Sequence, residues 1–340
     1  MLFKTLRKGV LARFIVGAAA MVFAIALQPL LHPSLATPPP SPPDAPSLSL
    51  PPPSLPLQNQ RTRDIVFKLT NAFSFSEGVA AVWIGPQWGY IDKTGKIAIQ
   101  PVFNDAYEFS DGLAIVKIGT KYGAIDKTGK TVIQPQFDRG YRFSEGLAAV
   151  QIGNKWGYID KTGNLVIQPQ FDEASHFSQG LAAVEIGDKY GYIDKMGNIA
   201  IQPQFNFAAY FSEGLAPATI GDKYGYIDKT GNLVIPAQFD RALPFSQGLA
   251  VVEIGERYGY IDKTGNLVIQ PQFGEITSFS EGLAVIHSIN GSGYIDKTGK
   301  MAIEPQFTFA YPFAEGLAVV QIGDRWGYID KTGNMVINLQ

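Results

Sequence analysis

Gly157-Tyr158-Ile159-Asp160-Lys161-Thr162-Gly163 decides how this chain is read. Close copies begin at Gly89, Gly123, Gly191, Gly225, Gly259, Gly293 and Gly327, each 34 residues from the next with no insertion. A fixed period of that length marks a repeat array, in which each unit hides its apolar face against its neighbours. Within the phrase, Asp160 stands first in a turn, where its carboxylate can bond backbone amides. Gly163 supplies the left-handed residue of a type I turn with a bulge. The phrase is thus the end of one strand and the hairpin turn that follows it.

Residues 177–210 give the whole unit. Phe177-Ser178-Gln179-Gly180 is an opening turn. Leu181 to Ile186 alternates with a period of two, placing Ala182, Val184 and Ile186 on one face and Leu181, Ala183 and Glu185 on the other. Gly187-Asp188-Lys189 is a short hairpin loop, and Tyr190 to Asp194 a second strand. After the Asp194 turn, Asn198 to Gln202 is a third strand, closed by Pro203 because proline removes a ladder donor. Phe205 and Ala208 then lead across to Phe211. Dense glycine and the period of two exclude the helical pair that a 34-residue repeat could also encode.

A three-stranded meander is unstable alone and must stack on something. Phe171, Phe205, Phe239, Phe273 and Phe307 recur in the crossing segment, and Phe177, Phe211, Phe245, Phe279 and Phe313 in the opening turn. Both series read as core between repeats, each burial contributing roughly 1.5–3 kcal/mol. Ahead of the first opening turn at Phe75 lies a worn half-unit, Ile65 to Phe73, with Leu69 in a Phe place and Ala72 in an Ala place. The last copy runs through its third strand, Met335 to Asn338. With a third strand at both ends, the sequence predicts an all-β chain of tandem 34-residue three-stranded β-meander repeats stacked as an open solenoid or superhelix. A closed β-propeller-like ring is the alternative. A membrane barrel is disfavoured, because its strands need about 9–11 residues. Two copies depart from the pattern: Pro217 interrupts a first strand, which implies an amide facing solvent or an edge, and Ile289-Asn290-Gly291-Ser292 puts a serine where the others carry Trp or Tyr.

Composition narrows the rest. Charged residues make up 17% and apolar ones 46% of the chain, which is not the balance of a disordered protein. The absence of cysteine excludes disulfides, thiolate metal sites and a Cys nucleophile. A formal charge of −2 argues against a nucleic-acid partner. Residues 1–36 read as a signal peptide: Lys4, Arg7, Lys8 and Arg13 precede the apolar run Phe14 to Leu27, and Ser34-Leu35-Ala36 offers a small-residue cleavage site. The alternative is an uncleaved anchor, the only contact with a membrane that the sequence suggests. Residues 37–60 form a Pro/Ser-rich linker, extended and semi-rigid. Residues 61–340 are the repeat domain, a half-unit followed by eight repeats, expected outside the cytoplasm in the periplasm, cell envelope or medium.

The pairs Trp88-Gly89, Trp156-Gly157 and Trp326-Gly327, in settings such as Asn154-Lys155-Trp156-Gly157-Tyr158-Ile159-Asp160, closely resemble the WG-repeat (KWG) family of bacterial β-repeats. The resemblance covers residues 75–338, with Tyr122, Tyr190, Tyr224 and Tyr258 in the Trp position. It implies a bacterial β-repeat protein, often exported and usually without an assigned activity. A weaker similarity of hairpin and aromatic grammar extends to choline-binding-type cell-wall repeats.

Candidate sites are weighed against plain structure. Asp92, Asp126, Asp160, Asp194, Asp228, Asp262, Asp296 and Asp330 invite a calcium reading, but each precedes Lys, and no second carboxylate follows at the spacing of a calcium loop. They read as turn caps, and the Lys series (Lys93, Lys127, Lys161 and onward) as a solvated stripe. No metal or cofactor is expected. Glu145, Glu213 and Glu281 alternate with Gln179 and Gln247, so that position is no general acid common to all copies. His176 and His287 have no nucleophile setting legible in sequence. There remain Trp88, Tyr90, Trp156, Tyr158, Tyr190, Tyr192, Tyr224, Tyr226, Tyr258, Tyr260, Trp326 and Tyr328, which share a face. If exposed they form a ligand-stacking surface for sugars or extended chains; if buried they are core. The functional expectation is an exported non-enzymatic scaffold for protein or cell-wall glycan. The alternatives are a carbohydrate-active enzyme at the divergent seventh copy and a purely structural spacer.

Overall fold

The computed structural model describes residues 69–339; the leader and the Pro/Ser-rich linker lie outside the described residues. Each unit forms its three expected strands, and a short fourth strand joins them. In the third sheet the order is Arg139–Gly140, Leu147–Ile152, Lys155–Asp160 and Leu165–Phe171, antiparallel throughout. The described residues contain eight such sheets, seven of four strands and one of three. In the seven four-stranded sheets the innermost strand comes from before the opening turn: Arg139–Gly140 precedes the opening turn at Phe143, whereas its sheet partners follow it.

That offset closes the molecule. Eight hydrophobic clusters are present, and every one joins two consecutive sheets. Leu147, Trp156, Tyr158 and Phe171 of the third sheet, for example, pack with Ala174, Phe177 and Val184 of the fourth. The eighth cluster sets Trp326, Tyr328 and Ile337 against Ala72, Phe75 and Val82. Hydrogen bonds repeat the pattern. The Tyr158 hydroxyl donates to the Ser175 carbonyl 17 residues on, at 2.8 Å. The Tyr328 hydroxyl makes the same bond back to Phe73, across 255 residues and also at 2.8 Å. The sheets are therefore the blades of an eight-bladed β-propeller.

This corrects the expected open stack in favour of its alternative, the closed ring. Leu69–Ala72 is not a worn third strand; it pairs with Val79–Ile84 as the inner strand of blade 1. An inner strand is the one element that the last copy, running through Met335–Leu339, does not itself provide to a following blade. The half-unit makes good that gap. Both phenylalanine series lie between blades as expected, with Phe171 and Phe177 at 3% and 0% exposure.

The glycine of the Trp-Gly pair is explained by the outer strand. Trp156 faces Phe171 while Tyr158 faces Ile167, so the register slips around Pro169 and the bulged backbone presses on Gly157. A Cβ there would lie 2.5 Å from the Ile167 carbonyl oxygen and 2.7 Å from the Pro169 nitrogen. Pro217 sits where the sheet is weakest: blade 5 has no inner strand, only a bridge between Ala208 and Ala218. The expectation that this strand faces solvent or an edge at Pro217 is corrected: Pro217 is buried, pairs with Tyr226 on one side and accepts the Ala209 amide at its carbonyl at 3.0 Å on the other.

Candidate functional site

The turns and clasps come first, because they position everything else. Asp160 Oδ1 accepts from the Thr162 amide, the Thr162 hydroxyl and the Asn164 amide at 2.9, 2.6 and 3.0 Å. The Thr162 hydroxyl and these amides hold its carboxyl below the usual range. The Asp series thus caps turns. The Lys series, expected as a solvated stripe, instead reaches across blades. Lys195 Nζ meets the Glu145 carbonyl and the Glu145 carboxylate, both at 3.0 Å, while that carboxylate accepts from the Gly180 amide. Glu145 has φ of 55°, as do its counterparts within a few degrees. Gln179 and Gln247 serve equally, since their amide oxygens accept from Gly214 and Gly282 at 2.9 Å. The position requires an acceptor, not an acid.

The proposed stacking rings lie elsewhere than on a surface. Tyr90, Tyr158, Tyr192, Tyr226, Tyr260 and Tyr328 are all 0% exposed, with their hydroxyls bonded to the next blade. Trp88, Trp156, Tyr224 and Trp326 are buried, and Tyr190 and Tyr258 half-buried. In a ring both faces of every blade are covered, so the stripe that would be solvated on an open sheet is core. The ligand-stacking reading is corrected accordingly. In blade 7, His287 Nδ1 lies 2.8 Å from the Ser292 hydroxyl, opposite Glu275 on the neighbouring strand. Ser292 is 1% exposed, so this pair fills the space of a lost ring with a buried hydrogen bond and presents no nucleophile to solvent.

A different series reaches the axis. The residue before each opening Phe is Ser74, Glu108, Arg142, His176, Tyr210, Pro244, Ser278 and Pro312 in turn. All but His176 line one central cavity of about 560 Å³. Below them, serines such as Ser144 and Ser178 donate to the phenylalanine carbonyl of the next copy at 2.7 and 2.6 Å, a girdle that fixes the wall. The variable series therefore stands on a repeated base. Four neighbours form a continuous polar arc. Arg142 Nη1 donates to Glu108 Oε1 at 3.1 Å, and Nη2 lies 3.5 Å from His176 Nε2. The His176 ring packs against Tyr210 with centroids 4.7 Å apart. Burial, with the Arg142 charge, pushes His176 down to about 4, leaving a neutral acceptor for the guanidinium. Opposite stand Pro244, Pro312 and the small Ser74 and Ser278. Sequence reading noticed His176 without its setting; the available signal was that this position changes chemistry from copy to copy beside an unchanging Phe. Among the described residues no cluster of side chains suited to holding a metal ion occurs.

Fold and site define an eight-bladed propeller whose central cavity carries Glu108, Arg142 and Tyr210 on one side and Glu275, Thr277 and Ser278 on another. The sequence profile of the WG containing repeat matches in eight segments between residues 88 and 340, from 88–122 through 326–340. The chain belongs to that family. No curated protein matches it. Among solved structures, a crystal structure of the eukaryotic initiation factor superposes with a TM-score of 0.54 at 12% identity, over 81% of this chain and 89% of that one. Kluyveromyces lactis Hsv2p gives 0.47 at 9%, over 67% and 92%. PorZ, a bacterial surface component of the type-IX secretion system of Porphyromonas gingivalis, gives 0.43 at 10%, over 78% and 45%. At such identities the likeness concerns the fold alone.

Proposed function

We propose that the protein is an exported, non-enzymatic binding scaffold that holds a protein or cell-envelope polymer at the mouth of its axial channel. One observation carries the reading. The channel position runs through Ser, Glu, Arg, His, Tyr and Pro, while the Phe that follows it is the same in all eight opening turns. A wall needed only for stability would repeat as its neighbours do. Export rests on the basic, apolar and small-residue order of residues 1–36. The test is binding of the purified 61–340 array to envelope fractions and immobilised glycans, compared with Arg142→Ala and Tyr210→Ala. Saturable binding that both variants weaken, at unchanged melting temperature, supports the reading. Binding that neither variant alters removes the channel as its site.

A further inference from the structure

The hairpins that join the first two strands of each repeat all lie at one end of the propeller, and their tips carry a surface separate from the channel wall. Ile152 faces Lys155 across one such tip. Ile118, Ile152, Ile186, Ile220, Ile254 and Ile322 hold this place and keep 38–42% of their surface exposed. Repetition alone accounts for six alike. In blade 7, however, the strand ends at Ser288 and the isoleucine stands one residue on, in the turn itself, where Ile289 is fully exposed. The fold gains nothing from an apolar side chain there. Two residues after the isoleucine the chemistry depends on the blade. It is Pro86, Thr120 and Asn154 in blades 1–3, but Asp188, Asp222, Glu256 and Asp324 in blades 4, 5, 6 and 8. All four carboxylates are exposed, and none has an ion-pair partner among the described residues. Several charges nearby are spent: Lys155 and Lys223 pair with Asp172 and Asp240 of the following blade, and Arg241 with Glu253. Burial holds His287 below its usual range. That leaves Lys189, Arg257 and Arg325 against the four tip carboxylates and Glu173, Glu185 and Glu275 at this end of blades 4–8. The excess is negative.

Apolar side chains beside unpaired carboxylates fit a partner that carries the opposite pattern. A second copy of this chain would set the same negative excess against itself, and a phospholipid surface would set phosphates against the carboxylates. A basic amphipathic segment covers the isoleucines with its apolar side and brings its cations to the tips. We propose that the hairpin tips of blades 4–8 dock a basic amphipathic segment of a partner protein, its apolar side chains on Ile186, Ile220, Ile254 and Ile289 and its Lys or Arg side chains at Asp188, Asp222, Glu256 and Asp324. The charges are exposed, so salt screens this attraction.

Fluorescence anisotropy on the full chain tests this, with a labelled peptide of two Leu-Lys-Lys-Leu-Leu-Lys-Leu units as the probe and the same peptide with Glu for Lys as its control. The expected result is saturable binding of the Lys peptide, weakened by added salt, and none of the Glu peptide. Asp222→Asn, Glu256→Gln and Asp324→Asn together should weaken binding about tenfold, and Ile289→Ser, at a fully exposed position, about threefold. Glu304→Gln and Val166→Ser, exposed on the outer rim, should leave it unchanged. Absence of binding, or equal loss in tip and rim variants, overturns the proposal. Capture by phosphatidylcholine vesicles, or dimerisation in sedimentation, that the tip variants abolish also overturns it, by assigning the surface to lipid or to a second copy. If Arg142→Ala and Tyr210→Ala weaken the probe while the tip variants do not, the peptide sits in the channel, and this proposal fails while the scaffold reading stands.

Discussion

Gly157 is fixed by a backbone that is not its own. The outer strand bulges at Pro169, and its carbonyl occupies the space where a Cβ would stand. The clash is with main chain on both sides, so no rotamer change relieves it. Gly157→Ala is therefore expected to destabilise the array by about 1–3 kcal/mol, the usual range for overpacking, read as a lower urea midpoint. The same change at Gly146, where a Cβ meets nothing within 4 Å, tests backbone conformation alone because its φ is 87°. An unchanged midpoint for Gly157→Ala would remove the bulge as the reason for the motif. This much was legible: a glycine follows each ring at the same place in every copy. The burial of Trp156 and Tyr158 was not decided by the residues themselves, because alternation assigns faces but does not say how many faces are covered.

At the scale of the turn and its neighbour, the clasp joins three parts of two blades. A residue at φ near 55° accepts from the next blade's glycine amide while a lysine from that blade bonds its carbonyl. Non-glycine residues hold that backbone conformation at a cost, which a side-chain acceptor offsets. Glu145→Gln should thus be almost silent, within about 0.5 kcal/mol, since Gln179 and Gln247 already work in the same place. Glu145→Ala keeps the strain and loses the acceptor, and should cost about 1 kcal/mol. Equal effects of the two substitutions in thermal unfolding would assign the role to charge. The exposed ion pair itself contributes little, with Lys195 and Glu145 side chains at 44% and 29% exposure. Sequence revealed the alternation of Glu and Gln but not the partner, because the Lys lies 50 residues away, beyond any local pattern.

Closure belongs to the whole molecule. The period, strand lengths and phenylalanine cores were all readable, yet open stack and ring contain the same residues. The angle between successive blades separates them, and no single residue encodes it. What could be misread was Leu69–Ala72, whose Leu and Ala fit the end of a third strand and the inner strand that follows it. In an open stack, losing this segment would remove only an end. In the ring it supplies the inner strand of blade 1, the adjoining Phe73 supplies the carbonyl that the Tyr328 hydroxyl needs, and Ala72 belongs to the cluster joining blades 8 and 1. Deleting residues 1–60 should leave the melting temperature unchanged. Deleting residues 1–74 should open the last interface, lower the melting temperature and expose two apolar blade faces that drive concentration-dependent association, seen by light scattering. A synthetic peptide of residues 65–74 added in trans should restore both. If the longer deletion melts like the shorter one and stays monomeric, the contact between Tyr328 and Phe73 does not hold the circle shut.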